Sequence, residues 1–99
     1  MTTFNYILSY NPVLPSLTQS QVHVFIERNR DIQTWYLPFV GTYILKSNLT
    51  LAELTTPFGQ FFGSNFYILT YVVPTLISGS LPPTVWNWLA ESTPAIGSN

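Results

Sequence analysis

"NFYILTYVV", Asn65 to Val73, is the strongest strand signal in the chain, because nearly every residue is β-branched, aromatic or leucine. Its apolar side chains fall on both faces. Phe66, Ile68 and Val72 share one side, and Tyr67, Leu69, Tyr71 and Val73 the other. A strand whose second face meets water alternates to polar residues there, so this segment predicts a sheet covered on both sides.

The first strand, "FNYILSY" from Phe4 to Tyr10, repeats the pattern: Phe4, Tyr6, Leu8 and Tyr10 share a face and Ile7 lies on the other. It runs into Asn11-Pro12, a turn starter. Between these two strands the chain twice shows a helix start. Thr18 with Gln21, and Thr50 with Glu53, have capping-box spacing. Leu17 with Val22, and Leu49 with Leu54, take the positions of the hydrophobic staple. The first helix is predicted from Thr18, burying Val22, Phe25 and Ile26 and fraying near Arg30. The second is predicted from Thr50, with a kink or restart at Pro57, where a missing N–H and a bulky ring disturb the preceding turn.

Separating the two helices, "QTWYLPFVGTYILKS" contains two short β-rich runs, Thr34 to Leu37 and Gly41 to Lys46. They read as a strand pair with a bulged connection. "LPPTVWNWLAES" adds a short last helix with prolines in its first turn.

The element order is strand, helix, strand, strand, helix, strand, helix. It predicts an α+β, ferredoxin-like βαββαβ fold, an antiparallel sheet with both main helices on one face plus a short C-terminal helix. Residues 1–91 are read as one domain and 92–99 as a flexible tail. Helices on one face leave the other exposed, while both long strands are apolar on that side. A second copy packed sheet to sheet is the favoured cover, so a homodimer is expected; the alternative is the C-terminal segment folding back.

Composition agrees with association. Of 99 residues, 46% are hydrophobic, 16% aromatic and 7% charged, and the formal net charge is -1. An ordinary soluble domain has about 25% charged residues, and a surface this neutral tends to self-associate. Arg28, Arg30 and Lys46 are the only Lys or Arg residues, too few to neutralise the several phosphates that nucleic-acid affinity needs. There is no cysteine, hence no disulfide or thiolate site. No basic, apolar and small-residue signal pattern opens the chain. The longest apolar run, "FYILTYVVPTLI", is shorter than the roughly 20 residues that span a bilayer. A cytoplasmic location and no membrane partner are expected.

The strings "YILSYNP", "GTYILKS" and "VWNWL" stand in an order and spacing that resemble small bacterial proteins similar to the Cas-two nuclease-like subunit of CRISPR adaptation, including the compact group labelled SinR family. The resemblance covers about Asn5 to Leu89. It implies a ferredoxin-like protomer, a homodimer formed through the sheets, a CRISPR-associated or defence setting and, in some relatives, divalent-metal-dependent nuclease activity or DNA scaffolding. Relatives credited with nuclease activity place an aspartate after the tyrosine that ends strand one. Here Tyr10 is followed by Asn11. Paired aspartates hold a hard cation that generates a nucleophilic water, whereas asparagine offers one neutral carbonyl. Tyr10 and Asn11 are therefore the site-equivalent position with its acid missing.

The other chemistry-bearing residues read as structural. His23, the single histidine, has Glu27 one turn on and is expected to pair with it at the helix surface. Glu53 is taken by its capping box, Glu91 by a helix end, and Glu27 and Asp31 by a solvated helix end. Ser9 and Ser16 have no base beside them. "NLT" at Asn48 fits a glycosylation acceptor without a secretory context. Phe4, Tyr6, Tyr67, Tyr71, Trp35, Trp86 and Trp88 are the interface candidates, since aromatic residues are enriched at interface centres. No catalytic residue, metal ligand or cofactor is predicted. The sequence thus points to a non-catalytic, homodimeric Cas-two-like interaction module that shows a neutral aromatic surface to a protein partner, in a phage or defence context. Two alternatives stand beside it: a metal-dependent endonuclease of RNA or DNA, using magnesium, and a nucleotide or small-molecule binder in a dimer cleft.

Overall fold

The computed structural model describes residues 3–11, 13, 17–73 and 76–91. Seven elements follow one another: β1 (Phe4–Tyr10), α1 (Gln19–Arg28), β2 (Thr34–Phe39), β3 (Thr42–Ser47), α2 (Leu51–Phe62), β4 (Tyr67–Val72) and α3 (Pro83–Glu91). The strands form one sheet in the order β2-β3-β1-β4, with every neighbouring pair antiparallel. That is the ferredoxin-like arrangement predicted from the element order. The tail 92–99, the Glu91 side chain, Pro12 and Ser16 lie outside the described residues.

Both capping boxes close in full. Gln21 N–H donates to Thr18 Oγ1 at 3.1 Å and Thr18 N–H to Gln21 Oε1 at 2.7 Å. Glu53 N–H donates to Thr50 Oγ1 at 3.2 Å and Thr50 N–H to Glu53 Oε1 at 2.8 Å. Each box satisfies two backbone donors that the helix start leaves without partners. α2 then runs as one helix from Leu51 to Phe62 with Pro57 inside it. Of the expected kink or restart at the proline, the restart does not occur, because the buried stripe Leu54, Phe58 and Phe62 continues across that turn and holds it against the sheet.

The inner face of the sheet and the two main helices make the principal core. Tyr6, Leu8 and Tyr10 of β1 and Tyr43 and Leu45 of β3 meet Val22 and Ile26 of α1 and Leu54, Phe58 and Phe62 of α2. The outer face carries a second, smaller cluster in which Val85 and Leu89 of α3 pack on Ile44, with Ile7 and Tyr36 beside them. Polar contacts help fix α3 there: Trp88 Nε1 donates to Thr34 Oγ1 at 3.0 Å and Lys46 Nζ donates to the Trp88 carbonyl. The ammonium also lies 4.2 Å from the centroid of the Trp88 ring. The cover that sequence analysis assigned first to a second copy is thus supplied, over the centre of this face, by the C-terminal segment. Intramolecular docking needs no second molecule to be captured, so it carries the smaller entropic cost.

Candidate functional site

Strand one delivers its end into the core rather than to the surface. Tyr10 N–H donates to Gly41 O at 2.9 Å, tying β1 to the turn between β2 and β3. Gly41 holds φ at 91°, a left-handed conformation that favours glycine. The Tyr10 ring is buried, stacked on Tyr43 with centroids 6.5 Å apart and tilted against Phe62 at 5.9 Å. Asn11 is exposed, and its Oδ1 accepts from Val13 N–H at 2.9 Å. That is an Asx turn, so the residue standing where a catalytic acid was sought is engaged in ending the strand.

Next to Tyr10, a cavity of about 210 Å³ opens between the start of α1 and the β2–β3 turn, lined by Tyr10, Gln19, Ser20, His23, Leu37 and Tyr43 among others. His23 does not stand at the helix surface paired with Glu27 as expected. Its Nδ1 shares a 3.0 Å hydrogen bond with the Tyr43 hydroxyl, and its ring stands at 88° to that of Trp35 with centroids 4.9 Å apart. His23 follows the buried Val22, on the flank of α1 that turns toward the sheet. Burial, with Tyr10 adding to it, pushes the Tyr43 phenol up to about 12. Tyr43 therefore stays protonated at neutral pH and donates to Nδ1 when that nitrogen carries no proton. Burial also pushes Tyr6 up to about 12, helped by Tyr71 and Glu53; its hydroxyl donates to Leu49 O at 2.6 Å.

The chemistry this arrangement supports is limited. No carboxylate lines the cavity. Ser20 and His23 both line it, but no hydrogen bond joins them, and an activated serine requires a base within reach of its hydroxyl. Among the described residues no group of three or more His, Asp or Glu side chains could hold a metal ion.

Most of the aromatic interface candidates are engaged inside the protomer. Tyr6 is 1% exposed, Phe4 packs against the core, Trp35 sits against His23, and Tyr67 stacks on Phe62 at 4.5 Å. Trp86 and Trp88 belong to α3 and its packing on the outer face. Tyr71 remains 46% exposed while its ring meets Phe4 and Tyr6 edge to face. The large exposed apolar residues beside β4 are others: Phe66 at 89% and Ile68 at 66%.

The register explains why. Ile68 lies opposite Ser9, itself opposite Thr42 and then Phe39, forming one row across the outer face. α3 packs one row over, on Ile7 and Ile44, and leaves the β4 end of the Ile68 row open. Their apolarity was legible in the sequence, but their exposure depends on where α3 docks. The chain matches no family model, no curated protein and no solved structure. Among the described residues no helix is long and apolar enough to cross a membrane.

Proposed function

We propose that this chain is a non-catalytic interaction module of the Cas-two-like kind that acts as a homodimer and offers a neutral, apolar surface to a protein partner. The observation that carries the reading is the contrast between the two edges of the sheet. β2 includes Pro38 and a register shift between Tyr36 and Phe39, two devices that blunt an edge against further pairing. β4 has neither: it pairs with β1 in unbroken register from Tyr67 to Val72. No Asp, Glu, Lys or Arg occurs between Glu53 and Glu91. An unprotected, uncharged edge flanked by Phe66 and Ile68 is a template for another strand.

The second copy's β4 is the simplest complement, since a two-fold axis sets the same edge and the same apolar strip against each other. With α3 over the centre of the outer face, association belongs to the β4 side rather than to that face as a whole. The Asx turn at Asn11, which engages the side chain standing where the acid was sought, supports the non-catalytic part. The resemblance of the strand-one motif supports the family and its defence setting.

Light scattering over a dilution series tests the reading. A dimer at micromolar concentration that becomes a monomer in Ile68→Lys, with an unchanged circular dichroism spectrum, is the expected result. A wild-type monomer at every concentration, or a dimer indifferent to Ile68→Lys and Thr70→Pro, overturns it. Magnesium-dependent cleavage of RNA or DNA that Asn11→Ala abolishes would reinstate the endonuclease reading.

A further inference from the structure

The helices carry a second feature, on the opposite side of the molecule from α3. α1 buries Val22 and Ile26 in the core, while Ser20, Val24 and Arg28, four residues apart in turn, follow one another along its flank. With Phe25 and with Phe61 of α2 they line a groove of about 540 Å³. That volume lies within the roughly 300–1,000 Å³ of small-molecule sites. The Phe25 and Phe61 rings stack on each other, 9° apart in plane with centroids 4.1 Å apart, and together supply apolar surface to the lining. From Ser20 to Arg28 the helix rises roughly 12 Å, the reach of a medium-length alkyl chain.

The charge distribution is one-sided. Arg28 is the single charged residue in the lining, and among the described residues its side chain makes no ion pair or hydrogen bond. The remaining polar lining residues, Ser20, Gln21 and Asn29, are neutral. An apolar trough ending at one unpaired guanidinium is complementary to a linear molecule with an apolar tail and an anionic head.

The geometry points to a medium-chain carboxylate as the occupant, its tail along Val24, Phe25 and Phe61 and its head on Arg28. A guanidinium offers a carboxylate two parallel hydrogen bonds, which an ammonium cannot match. The last turn of α1 works against the anion, because its free carbonyls carry the negative end of the helix dipole. Recognition of the head therefore rests on Arg28 alone. This site is separate from β4 and does not depend on the homodimer.

The test is a titration of the full chain with decanoate, below the concentration at which it forms micelles, followed by amide and side-chain NMR shifts. Decanol and decyltrimethylammonium are the controls for tail and charge. Decanoate is expected to shift Val24, Phe25, Arg28 and Phe61 saturably. Decanol and Arg28→Gln should each bind about tenfold more weakly, and Arg28→Lys should fall between. Val24→Glu, at an exposed position, sets a like charge in the trough and is expected to abolish the shifts without disturbing the spectrum elsewhere. Decanol binding as tightly as decanoate would mean a generic apolar surface of the kind that docks peptides, and would overturn the proposal. So would shifts centred on β4 or α3, or no saturable binding. The dilution behaviour in light scattering should be the same with and without decanoate, which separates failure here from failure of the homodimer.

Discussion

At position 11 one carbonyl oxygen decides between two readings of strand one. Its hydrogen bond to Val13 N–H belongs to the turn, and Asn11→Asp preserves an acceptor there. Asn11→Asp should therefore leave stability within about 0.5 kcal/mol, while Asn11→Ala costs about 0.5–1.5 kcal/mol, the usual worth of one hydrogen bond; urea unfolding measures both. Tyr43 carries a further prediction. Its phenol is raised to about 12 in the folded protein, as is that of Tyr6, against about 10 for a free tyrosine. The stability these groups give is complete below about pH 10 and is lost as pH rises from there through about 12, because the unfolded chain gives up those protons first. Phenolate absorbance and near-ultraviolet circular dichroism followed together should show late ionisation coinciding with loss of tertiary structure. Complete ionisation by pH 11 with the fold intact would refute it.

Among the elements, the helix starts show local sequence at its most decisive. Thr18 with Gln21 and Thr50 with Glu53 name their helices because every atom of a capping box lies within four residues. Thr50→Ala should cost about 1 kcal/mol, read from the shift in the urea midpoint at unchanged slope. α3 tests the opposite case. Its Trp88 is held by Thr34 and Lys46, which come from distant parts of the chain, and Leu89 is fully buried against the outer face. Leu89→Ala should cost about 2–5 kcal/mol if α3 belongs to the cooperative unit. A much smaller loss, with amide protons of α3 exchanging while the sheet stays protected, would show that α3 opens independently.

At the scale of the whole molecule, the outer face is divided between α3 and the exposed apolar strip at Phe66 and Ile68. Because the exposed strip at Phe66 and Ile68 belongs to the charge-free stretch between Glu53 and Glu91, association through it should not weaken with salt. From about 0.05 to 0.5 M, over which the Debye length falls severalfold, the association constant of the proposed dimer is expected to hold or rise. A constant that falls steeply across that range would place the contact among the few charges instead, and would move the interface away from β4.

The sequence by itself determined the order and kind of the elements, both helix starts and the two-sided character of the sheet. Each rests on neighbours a few residues apart: a capping box, a period of two, a proline beside a turn. Tertiary structure alone decided which side chains those elements bring together. His23 and Tyr43 stand 20 positions apart, and their hydrogen bond exists because α1 and β3 share one core. Composition could show that the outer face needed a cover, but both a second copy and the C-terminal segment satisfied that need. The choice of α3 followed from contacts between residues such as Lys46 and Trp88, 42 positions apart, whose meeting no local pattern encodes. The openness of Phe66 and Ile68 has the same origin, since the surface a helix leaves bare is fixed only by where that helix docks.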